Sequence, residues 1–366
     1  MLSKGDDFPI HQTAEPIAYT GAARNFYDRY FFNGYHASEP CFFAAALGVY
    51  PYVNVMDAGL SVIVDGVQHN LIASKAMHGE RLDTQVGPLQ VKVLEPLQQL
   101  QLLANDPEHD IQADLTFTAR APVQEEPRFT RRIGTQLVMD STRMTQNGTW
   151  EGWIRVQGRE IKVTPDTWLG TRDRSWGVRN IGEADAQPNP EGGLQQFYWL
   201  WAPINWSDGV SLYHLNDDEL GRPWNTAGVF VPLTGAGEAQ PMVRVSSEID
   251  FISGTRHARE ARIRFEQQGG GVTEITMHTE YHWYMKGVGY GHETHKHGSF
   301  HGELDVMYES YPSAEVDDAM NLHIQAISRV SMDGDLGRRQ GRGVLEQLII
   351  GPHAPSGFVD LLDMAP

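Results

Sequence analysis

Hydrophobic and polar positions alternate with a period of two over much of this chain. Residues 60–64 form a largely apolar run, Asp65-Gly66 follow it, and a second strand-like run occupies residues 67–72. Asp-Gly between two such runs predicts a β-hairpin, because a type I′ turn needs positive φ at both central residues. A similar unit recurs at residues 150–163 around Gln157-Gly158. These units predict antiparallel strands.

Further strand-like runs follow at close spacing in a chain with 37 glycines: 89–94, 111–119, 195–201, 243–252, 261–266, 272–283, 304–308, 322–330 and 341–350. Strands at this density predict sheets that close into barrels or sandwiches. Helix signals are few, with a candidate at residues 16–30 and a weaker one at 96–104. Neither alternates with strands as a parallel α/β sheet requires. We therefore expect an all-β fold of two consecutive lipocalin-like antiparallel barrels with few short helices.

The length of 366 residues predicts two domains. A polar stretch rich in proline and glycine, EADAQPNPEGG at residues 183–193, has the composition of a loop or linker. The predicted domains are therefore an N-terminal β domain at residues 1–190 and a C-terminal β domain at residues 191–366.

The net charge and the cysteine content indicate which partners and which cellular compartment to expect. The formal net charge of −18 repels the phosphate backbone and anionic lipids, so we expect neither nucleic acid nor membrane partners. No apolar segment is long enough to span a bilayer, and the N-terminus does not resemble a signal peptide. The single cysteine, Cys41, cannot form an intrachain disulfide and suits a reducing compartment. These features predict a cytoplasmic protein.

Large aromatic residues concentrate in the middle of the chain. Eight of the nine tryptophans lie between Trp150 and Trp224. If residues 197–201 form a strand, alternation places Phe197, Trp199 and Trp201 on one face. Such a row of rings can line an apolar ligand cavity, or it can equally form core between sheets.

The segment from Trp168 to Arg179, WLGTRDRSWGVR, is the most distinctive in the chain. In an extended strand, Asp173 faces one way, whereas Arg172, Arg174 and Trp176 face the other. One interpretation is an Arg–Trp arrangement that closes a barrel end, with Asp173 paired to a guanidinium. The other places Asp173 in an apolar cavity, where desolvation would keep the carboxyl protonated as a general acid.

A strand hairpin, GWIRVQGREIKV, followed by Asp173-x-x-Trp176-Gly177, resembles the AttH-like and carotenoid hydratase (hydroxyneurosporene synthase) group. The downstream segments GVGYGHETHKHGSFHGE and GRGVLEQLIIGPHAPSGF also look like bacterial members of that group. The resemblance covers most of residues 148–355. It implies two lipocalin-like barrels and cofactor-free chemistry, in which an acid protonates an alkene of an isoprenoid-like substrate, aromatic rings stabilise the carbocation and water adds. Asp173 occupies the position of the family's acid.

Six histidines fall between positions 278 and 301: His278, His282, His292, His295, His297 and His301. In an extended segment, His295, His297, Ser299, His301 and Glu303 would share one face. The spacing nearly matches the first metal motif of cupins, but the glutamate is too far from the second histidine and no second motif follows. A solvated surface and histidines bonded to carbonyls are alternatives. A further one is a neutral histidine at a cavity rim that positions water or relays a proton.

Together these patterns predict a cofactor-independent hydratase/lyase or isomerase/cyclase that acts on a hydrophobic, terpenoid or steroid-like molecule by acid catalysis in a barrel cavity. The candidate catalytic residues are Asp173, His292, His297 and Glu303. The candidate substrate-binding residues are Trp168, Trp176, Phe197, Trp199, Trp201, Tyr213 and Tyr290. We assign no metal ligand and no cofactor. A non-enzymatic lipophilic-ligand binding protein and a histidine-dependent metalloenzyme are the alternatives, and a homodimer is a possible assembly.

Overall fold

The computed structural model describes Asp7, Phe8, Ile10, Ala18, Gly21 and residues 23–183 and 196–366. Strands hold 61% of the described residues, in one nearly closed barrel-shaped sheet and one half-barrel sheet, so the predicted all-β class is confirmed. Short 3₁₀ turns lie at Met285–Val288, Ser313–Glu315 and Ala354–Ser356.

The first sheet is almost entirely N-terminal. Its described strands are β1 (Phe26–His36), β2 (Phe42–Tyr50), β3 (Val55–Val64), β4 (Val67–Ala76), β5 (Gln85–Val86), β6 (Leu89–Glu95), β7 (Gln99–Asp106), β8 (Ile111–Ala119), β9 (Gln124–Glu125), β10 (Phe129–Ile133), β11 (Gln136–Val156), β12 (Arg159–Val163), β13 (Trp168–Val178) and β21 (Leu304–Pro312). The main path runs β21-β4-β3-β2-β1-β13-β11-β8-β7-β6-β5, and β9, β10 and β12 pair with β11.

Both predicted hairpins of this sheet are present. Asp65 and Gly66 join β3 to β4 with φ of 51° and 76°, and Gln157 and Gly158 join β11 to β12 with φ of 49° and 75°. Positive φ at both central residues is the backbone twist that a two-residue loop between antiparallel strands requires. The turn chemistry therefore fixes the register of each pair.

One face of the first sheet carries its hydrophobic core, and we call it the inner face. Here three glycines lie side by side on β1, β13 and β11, because Gly34 pairs with Gly170 and Gly170 pairs with Gly148. A Cβ at Gly170 would lie 2.4 Å from the indole nitrogen of Trp150. The row thus leaves room for a ring cluster centred on Trp150, which also contains Phe43, Phe117 and Trp168.

The second sheet runs in the order β17-β16-β15-β14-β23-β22-β20-β19-β18. Its described strands are β14 (Phe197–Asn205), β15 (Gly209–Asp217), β16 (Pro223–Pro232), β17 (Gln240–Pro241), β18 (Arg244–Phe251), β19 (Ala258–Glu266), β20 (Val272–Tyr284), β22 (Ile324–Gly334) and β23 (Arg339–Ile350). Strands β14 and β15 are buried along their whole length, whereas β18 and β19 alternate between buried and exposed residues. Strands β14 and β15 are therefore buried on both faces, whereas β18 and β19 near the edge expose one face.

Contacts divide the chain into two compact units. The first comprises Met1–Glu191 and Lys286–Pro312, and the second comprises Gly192–Met285 and Ser313–Pro366. The segment Lys286–Pro312 belongs to the first unit because β21 pairs with β4, whereas the sequence placed it in the C-terminal domain. Most of the predicted linker at 183–193 lies outside the described residues.

Both helix predictions are wrong where the structure describes them. In the candidate at residues 16–30, the described part from Phe26 onward is strand β1, which is buried on both faces except at its ends. The candidate at residues 96–104 is a turn followed by β7, in which Leu100, Leu102 and Ala104 are buried and alternate with half-buried residues. Tertiary burial of both faces hides the period-two pattern in β1.

Among the described residues, no helix is both long and apolar enough to cross a bilayer.

Candidate functional site

Two consecutive residues of β1, Asp28 and Arg29, project from opposite faces of the first sheet, as strand geometry requires. Each belongs to a buried group of charged side chains. On the outer face, opposite the core, we define the outer cluster as Arg29, Tyr50, Asp57, Arg179, Tyr290 and His297. All six residues belong to the first unit, and they come from three parts of the chain that are more than 100 positions apart.

The Asp57 carboxylate is the centre of the outer cluster. Arg29 Nη1 donates to Asp57 Oδ1 over 3.0 Å, and Tyr50 Oη donates to the same oxygen over 3.1 Å. Arg29 Nη1 also donates to Tyr50 Oη over 2.8 Å, and the backbone N–H of Gly298 donates to Asp57 Oδ2 over 2.8 Å. The carboxylate is therefore held at both oxygens by donors from separate parts of the chain.

A glycine makes this approach possible. Gly48 lies on β2 between Arg29 of β1 and Asp57 of β3 in the strand register. A Cβ at Gly48 would lie 2.2 Å from the Tyr50 hydroxyl and 2.9 Å from Asp57 Oδ1. The missing side chain at this position lets the guanidinium of Arg29 reach the carboxylate across the middle strand.

The segment after β20 covers this face of the sheet. The Val288 carbonyl accepts from Arg29 Nη2 over 2.8 Å, and His297 Nε2 lies 3.1 Å from the same oxygen. Arg179 Nη2 lies 3.3 Å from His297 Nδ1, so the network assigns the proton of a neutral imidazole to Nε2. Arg179 also donates to the Tyr290 hydroxyl over 3.3 Å. His297 thus connects the two arginines: it contacts Arg179 directly, and it shares the Val288 carbonyl with Arg29.

Burial controls the protonation of this cluster. Asp57 is 8% exposed, and its desolvation raises the pKa of the carboxyl above the ordinary value of 3.8, against the opposing effect of Arg29 and the Gly298 N–H. Burial raises the pKa of Tyr50 well above 10, so its hydroxyl keeps the proton. Burial works against the charge of Arg29, but Tyr50 and Asp57 outweigh this effect and raise its pKa.

Two tyrosine rings, Tyr27 and Tyr290, lie against the guanidinium groups of the outer cluster. The guanidinium carbon of Arg179 lies 4.1 Å from the centroid of the Tyr27 ring, and that of Arg29 lies 5.2 Å from the centroid of Tyr290. Tyr27 also packs in a small apolar cluster with Tyr50, Val55 and Ile181. Arg179 and Tyr290 are only partly buried. Apolar rings, a hydroxyl donor and positive charge are therefore adjacent at this face.

The second group, which we call the inner cluster, comprises Asp28, Tyr30, Arg81 and Arg174 on the core side of the sheet. Arg174 Nη1 lies 2.6 Å from Asp28 Oδ1, and Arg81 Nη2 lies 4.0 Å from Asp28 Oδ2. The Arg174 guanidinium stacks over the Tyr30 ring at 3.9 Å. The side chains of the three charged residues are at most 1% exposed. This group is sealed from solvent.

An apolar pocket of about 310 Å³, a volume that includes its opening to solvent, lies within the same unit. Its walls include Leu47, Ala58, Leu60, Leu102, Ala104 and Leu115. Neither a carboxylate nor any of the predicted site residues lines it. The pocket lies against core side chains, so it is on the opposite face of β3 from Asp57.

Asp173 lies half-buried on β13, where its cross-strand neighbours are Phe31 and Thr145. Arg172 and Arg174 point to the other face, as the alternation predicts. Their guanidinium carbons lie 5.9 Å from the Phe117 ring and 3.9 Å from the Tyr30 ring, and their carboxylate partners are Asp7 and Asp28. Asp173 therefore does not point toward the inner face, and its role as an acid stays a prediction.

The histidine segment is not extended, so the shared face expected for His295, His297, Ser299, His301 and Glu303 is wrong. Residues 286–303 turn repeatedly, because the left-handed Gly289, Gly291, Gly298 and Gly302 interrupt any strand. His297 enters the outer cluster, and His292 Nε2 lies 3.6 Å from Glu309 Oε2. Glu303 pairs with His78 at 2.7 Å in an exposed position away from both.

The predicted substrate-binding aromatics separate into three places. Tyr290 belongs to the outer cluster. Trp168 packs in the core of the first sheet, and Trp176 is half-buried on β13. The remaining four are buried in the second unit: Phe197, Trp199, Trp201 and Tyr213. Trp199 Nε1 donates to Glu346 Oε1 over 3.3 Å, and Tyr213 Oη donates to Ser247 Oγ over 2.8 Å.

The sequence reasoning missed Arg29, Tyr50 and Asp57. A usable signal was present, because Asp28-Arg29 and Asp57 interrupt otherwise apolar strand runs, FYDRYFF and VNVMDAGLSVIV. A buried charge in such a run needs a partner. The pairing itself is not local, since 28 positions separate Arg29 from Asp57 and 259 separate it from Val288.

Comparison with known proteins places the chain in a family. A family model described as "Family of unknown function (DUF8625)" matches residues 2–359. The chain belongs to this family. A search of curated protein sequences found no match.

Solved structures share the fold at low sequence identity. A protein from Nitrosomonas europaea assigned as AttH is 12% identical, with a TM-score of 0.55 over 93% of this chain and 98% of that one. Kievitone hydratase from Nectria haematococca is 13% identical, with a TM-score of 0.53 over 88% and 89%. CghA, solved with Sch210972, is 9% identical, with a TM-score of 0.53 over 94% and 96%. The predicted resemblance to the AttH-like group is thus confirmed at the level of the fold.

Proposed function

We propose that this protein is a cofactor-independent lyase of the hydratase type, or an isomerase or cyclase, that acts on a hydrophobic small molecule by acid catalysis. The observation that carries the proposal is Asp57, a buried carboxyl with a raised pKa and with hydrogen bonds to Tyr50 and Arg29. An acid that holds its proton closer to neutral pH is what protonation of a carbon–carbon double bond requires.

The fold likeness supports this class without deciding the substrate. One similar structure carries the name kievitone hydratase, and a hydratase adds water to a double bond. At 9–13% identity the likeness extends to the fold alone, so the chemistry must be argued from the residues of this chain. The terpenoid or steroid-like substrate that the sequence suggested, the cytoplasmic location and the homodimer stay predictions.

The charges of the outer cluster favour a particular kind of substrate. The outer cluster contains two arginines and one carboxylate: Arg29 bonds to Asp57, whereas Arg179 contacts Tyr290 and His297. A bare carbocation next to two guanidinium groups would be repelled. An alkene conjugated to an ionised phenol or enol avoids this cost, because protonation of its carbon gives a neutral intermediate. We therefore expect a hydrophobic substrate with an acidic oxygen conjugated to the double bond.

The proposed reaction has two steps, protonation of the alkene and addition of water, and it leaves Asp57 protonated as at the start. The Asp57 carboxyl gives its proton to the alkene carbon, so that a C–H bond forms and the substrate oxyanion becomes a neutral carbonyl. Water then adds to the neighbouring carbon, which restores the oxyanion, and the proton released by that water returns to the Asp57 carboxylate. Arg179 would hold the substrate oxygen, while Tyr50 and Arg29 orient Asp57. His297 acts as a positioning residue, because both ring nitrogens are engaged.

Asp173, the acid predicted from the sequence, is the alternative to Asp57 within this proposal. Asp173 is the acid that the family resemblance implies, and its half-buried side chain lies on the face opposite the inner cluster. The proposal therefore has two candidate acids, and paired Asp→Asn substitutions distinguish them. Glu303 is outside the proposal because its side chain is 80% exposed.

The test uses 4-isopropenylphenol, whose alkene is conjugated to the phenol, and the unconjugated alkene limonene, each incubated with the protein in H₂¹⁸O and analysed by mass spectrometry. Incorporation of one ¹⁸O into a phenolic alkene, with none into limonene, supports hydration. The same reactions in D₂O report isomerisation or cyclisation by deuterium uptake at carbon. Asp57→Asn should lower the rate by about 10²–10⁴-fold, the usual contribution of a general acid, and Asp173→Asn should not.

A non-enzymatic carrier would behave differently. It would bind the same phenolic alkenes with equal affinity in the wild type and in Asp57→Asn, and neither label would appear in the ligand. Loss of turnover in Asp173→Asn with full turnover in Asp57→Asn would move the acid to β13 and overturn the assignment made here.

A further inference from the structure

A group of three side chains in the second unit has the composition of a metal site. His257 precedes β19, His282 lies on β20 and Asp318 lies in the turn before β22. One potential ligand atom from each residue lies within 4.8 Å of the other two. Two imidazoles and a carboxylate form a donor set that divalent transition ions, and zinc in particular, accept.

The hydrogen bonds of His257 direct a lone pair into this group. His257 is fully buried, and its Nε2 lies 2.9 Å from the Asn321 carbonyl. A carbonyl only accepts, so Nε2 carries the proton and Nδ1 of the neutral ring carries a lone pair. Nδ1 lies 3.4 Å from Asp318 Oδ1, and it has no hydrogen-bond partner.

His282 repeats the arrangement. The backbone carbonyl of Ala258 is its hydrogen-bond partner, and its Nε2 is buried without a partner. The ring of His282 meets that of His257 edge-on at 5.0 Å. With both imidazoles neutral, two ring nitrogens and a carboxylate oxygen converge with their lone pairs toward one another. Such a convergence is costly in a buried place unless a cation occupies the centre.

The surrounding residues hold the three side chains as the outer partners of metal ligands do. Tyr284 Oη donates to Asp318 Oδ1 over 2.6 Å. Asp317 ties together the turn that follows, because its carboxylate accepts from the Ala319 N–H and its carbonyl from the Asn321 side chain. One turn therefore supplies both the Asp318 carboxylate and the carbonyl that orients His257.

We propose that His257 Nδ1, His282 Nε2 and an Asp318 carboxylate oxygen bind one divalent transition-metal ion, with zinc as the best match. In tetrahedral coordination at 2.0–2.2 Å, ligand atoms are about 3.4 Å apart. The separation of His257 Nδ1 and Asp318 Oδ1 already has this value, and the ligand atom of His282 lies within 4.8 Å of both. Asp318 is 33% exposed, which leaves the fourth position open to water.

A second histidine group offers a matched control. His295, His301 and Asp305 also lie within 4.8 Å of one another, but both nitrogens of His295 are engaged, Nδ1 with Thr294 and Nε2 with Asp305. We therefore expect the second unit, and not this group, to take the ion. His301→Ala tests the contribution of the control group.

The experiment titrates chelator-treated full-length protein with Zn²⁺ alone, by calorimetry, and records the cobalt(II) absorption spectrum. The expected result is one ion per chain and a spectrum of four-coordinate cobalt. His282→Gln and Asp318→Asn should each weaken affinity by more than about 100-fold, and Tyr284→Phe by about 10–100-fold, the usual cost of losing an orienting partner. His301→Ala should leave the affinity unchanged.

Folding is monitored by the melting temperature of each chelator-treated variant. Wild-type protein should melt higher when Zn²⁺ is added, and His282→Gln and Asp318→Asn should not respond. The proposal is overturned if wild-type protein takes up no zinc, if His301→Ala abolishes uptake, or if folded His282→Gln and Asp318→Asn bind zinc as tightly as the wild type does.

Discussion

The outer and inner clusters start from adjacent residues of one strand, yet their surroundings differ. Asp28 meets Arg174 among core side chains, and the charged members of the inner cluster are almost completely buried. Asp57 meets Arg29 beside a tyrosine hydroxyl, a backbone N–H and the half-buried Arg179 and Tyr290. A buried carboxylate–arginine pair is therefore not a functional site in itself. The outer cluster differs in the tyrosine and backbone donors to its carboxylate and in its two half-buried members, Arg179 and Tyr290.

The inner cluster is best explained as a structural element. The Arg174 guanidinium lies between Asp28 and the Tyr30 ring, which leaves it no route to solvent. Buried ion pairs of this kind add little net stability, but they are costly to break because a charge is then left in the core. In the outer cluster, by contrast, burial raises the pKa of the Asp57 carboxyl, and carboxyls with shifted pKa values concentrate at functional sites.

The largest expected effect comes from breaking the inner pair. Asp28→Asn leaves the Arg174 guanidinium buried without its charged partner, so the free energy of unfolding should fall by about 3–5 kcal/mol. Chemical denaturation of wild-type and variant protein measures this difference. Asp28→Asn combined with Arg174→Met removes both charges and should recover part of the loss. A stability loss below about 1 kcal/mol for Asp28→Asn would contradict the structural role.

A smaller effect should follow from removing the hydroxyl of the outer cluster. Tyr50→Phe deletes the donor to Asp57 Oδ1 and the acceptor of Arg29 Nη1, at a cost of about 1–3 kcal/mol in unfolding free energy. Because that hydrogen bond lowers the pKa of Asp57, its loss should raise that pKa further. Carboxyl carbon chemical shifts recorded against pH measure the change. Tyr30→Phe is the control and should leave the pKa of Asp57 unaltered.

The smallest effect should come from the exposed pair of the histidine segment. Glu303 and His78 are 80% and 66% exposed, so Glu303→Ala should change stability by no more than about 0.5 kcal/mol and leave turnover intact. Rates with 4-isopropenylphenol for the wild type and the variant provide the check. A hundredfold loss of rate would return Glu303 to the catalytic residues that the sequence suggested.

Local patterns predicted the fold well and the site poorly. Asp65-Gly66 and Gln157-Gly158 specify their hairpins through backbone φ alone, so two residues suffice to predict each one. The outer cluster depends on Arg29, Asp57 and Gly298, which approach one another only after the barrel has formed. The prediction from the histidine spacing was wrong for a local reason, because it assumed strand alternation where left-handed glycines turn the chain. Of the candidate residues, His297 and Tyr290 do enter the outer cluster.

The protonation state of Asp57 decides whether this side chain can act as the acid, and a difference infrared titration measures it directly. A carboxyl whose pKa rises on folding binds its proton more tightly in the folded state, so wild-type stability relative to Asp57→Asn should decline as the pH rises from about 3.8 to the raised pKa. In the same window, wild-type protein should show a protonated carboxyl band that Asp57→Asn lacks. If that band is absent, or if it disappears at or below pH 3.8, Asp57 is an ordinary ion-pair carboxylate and the account fails.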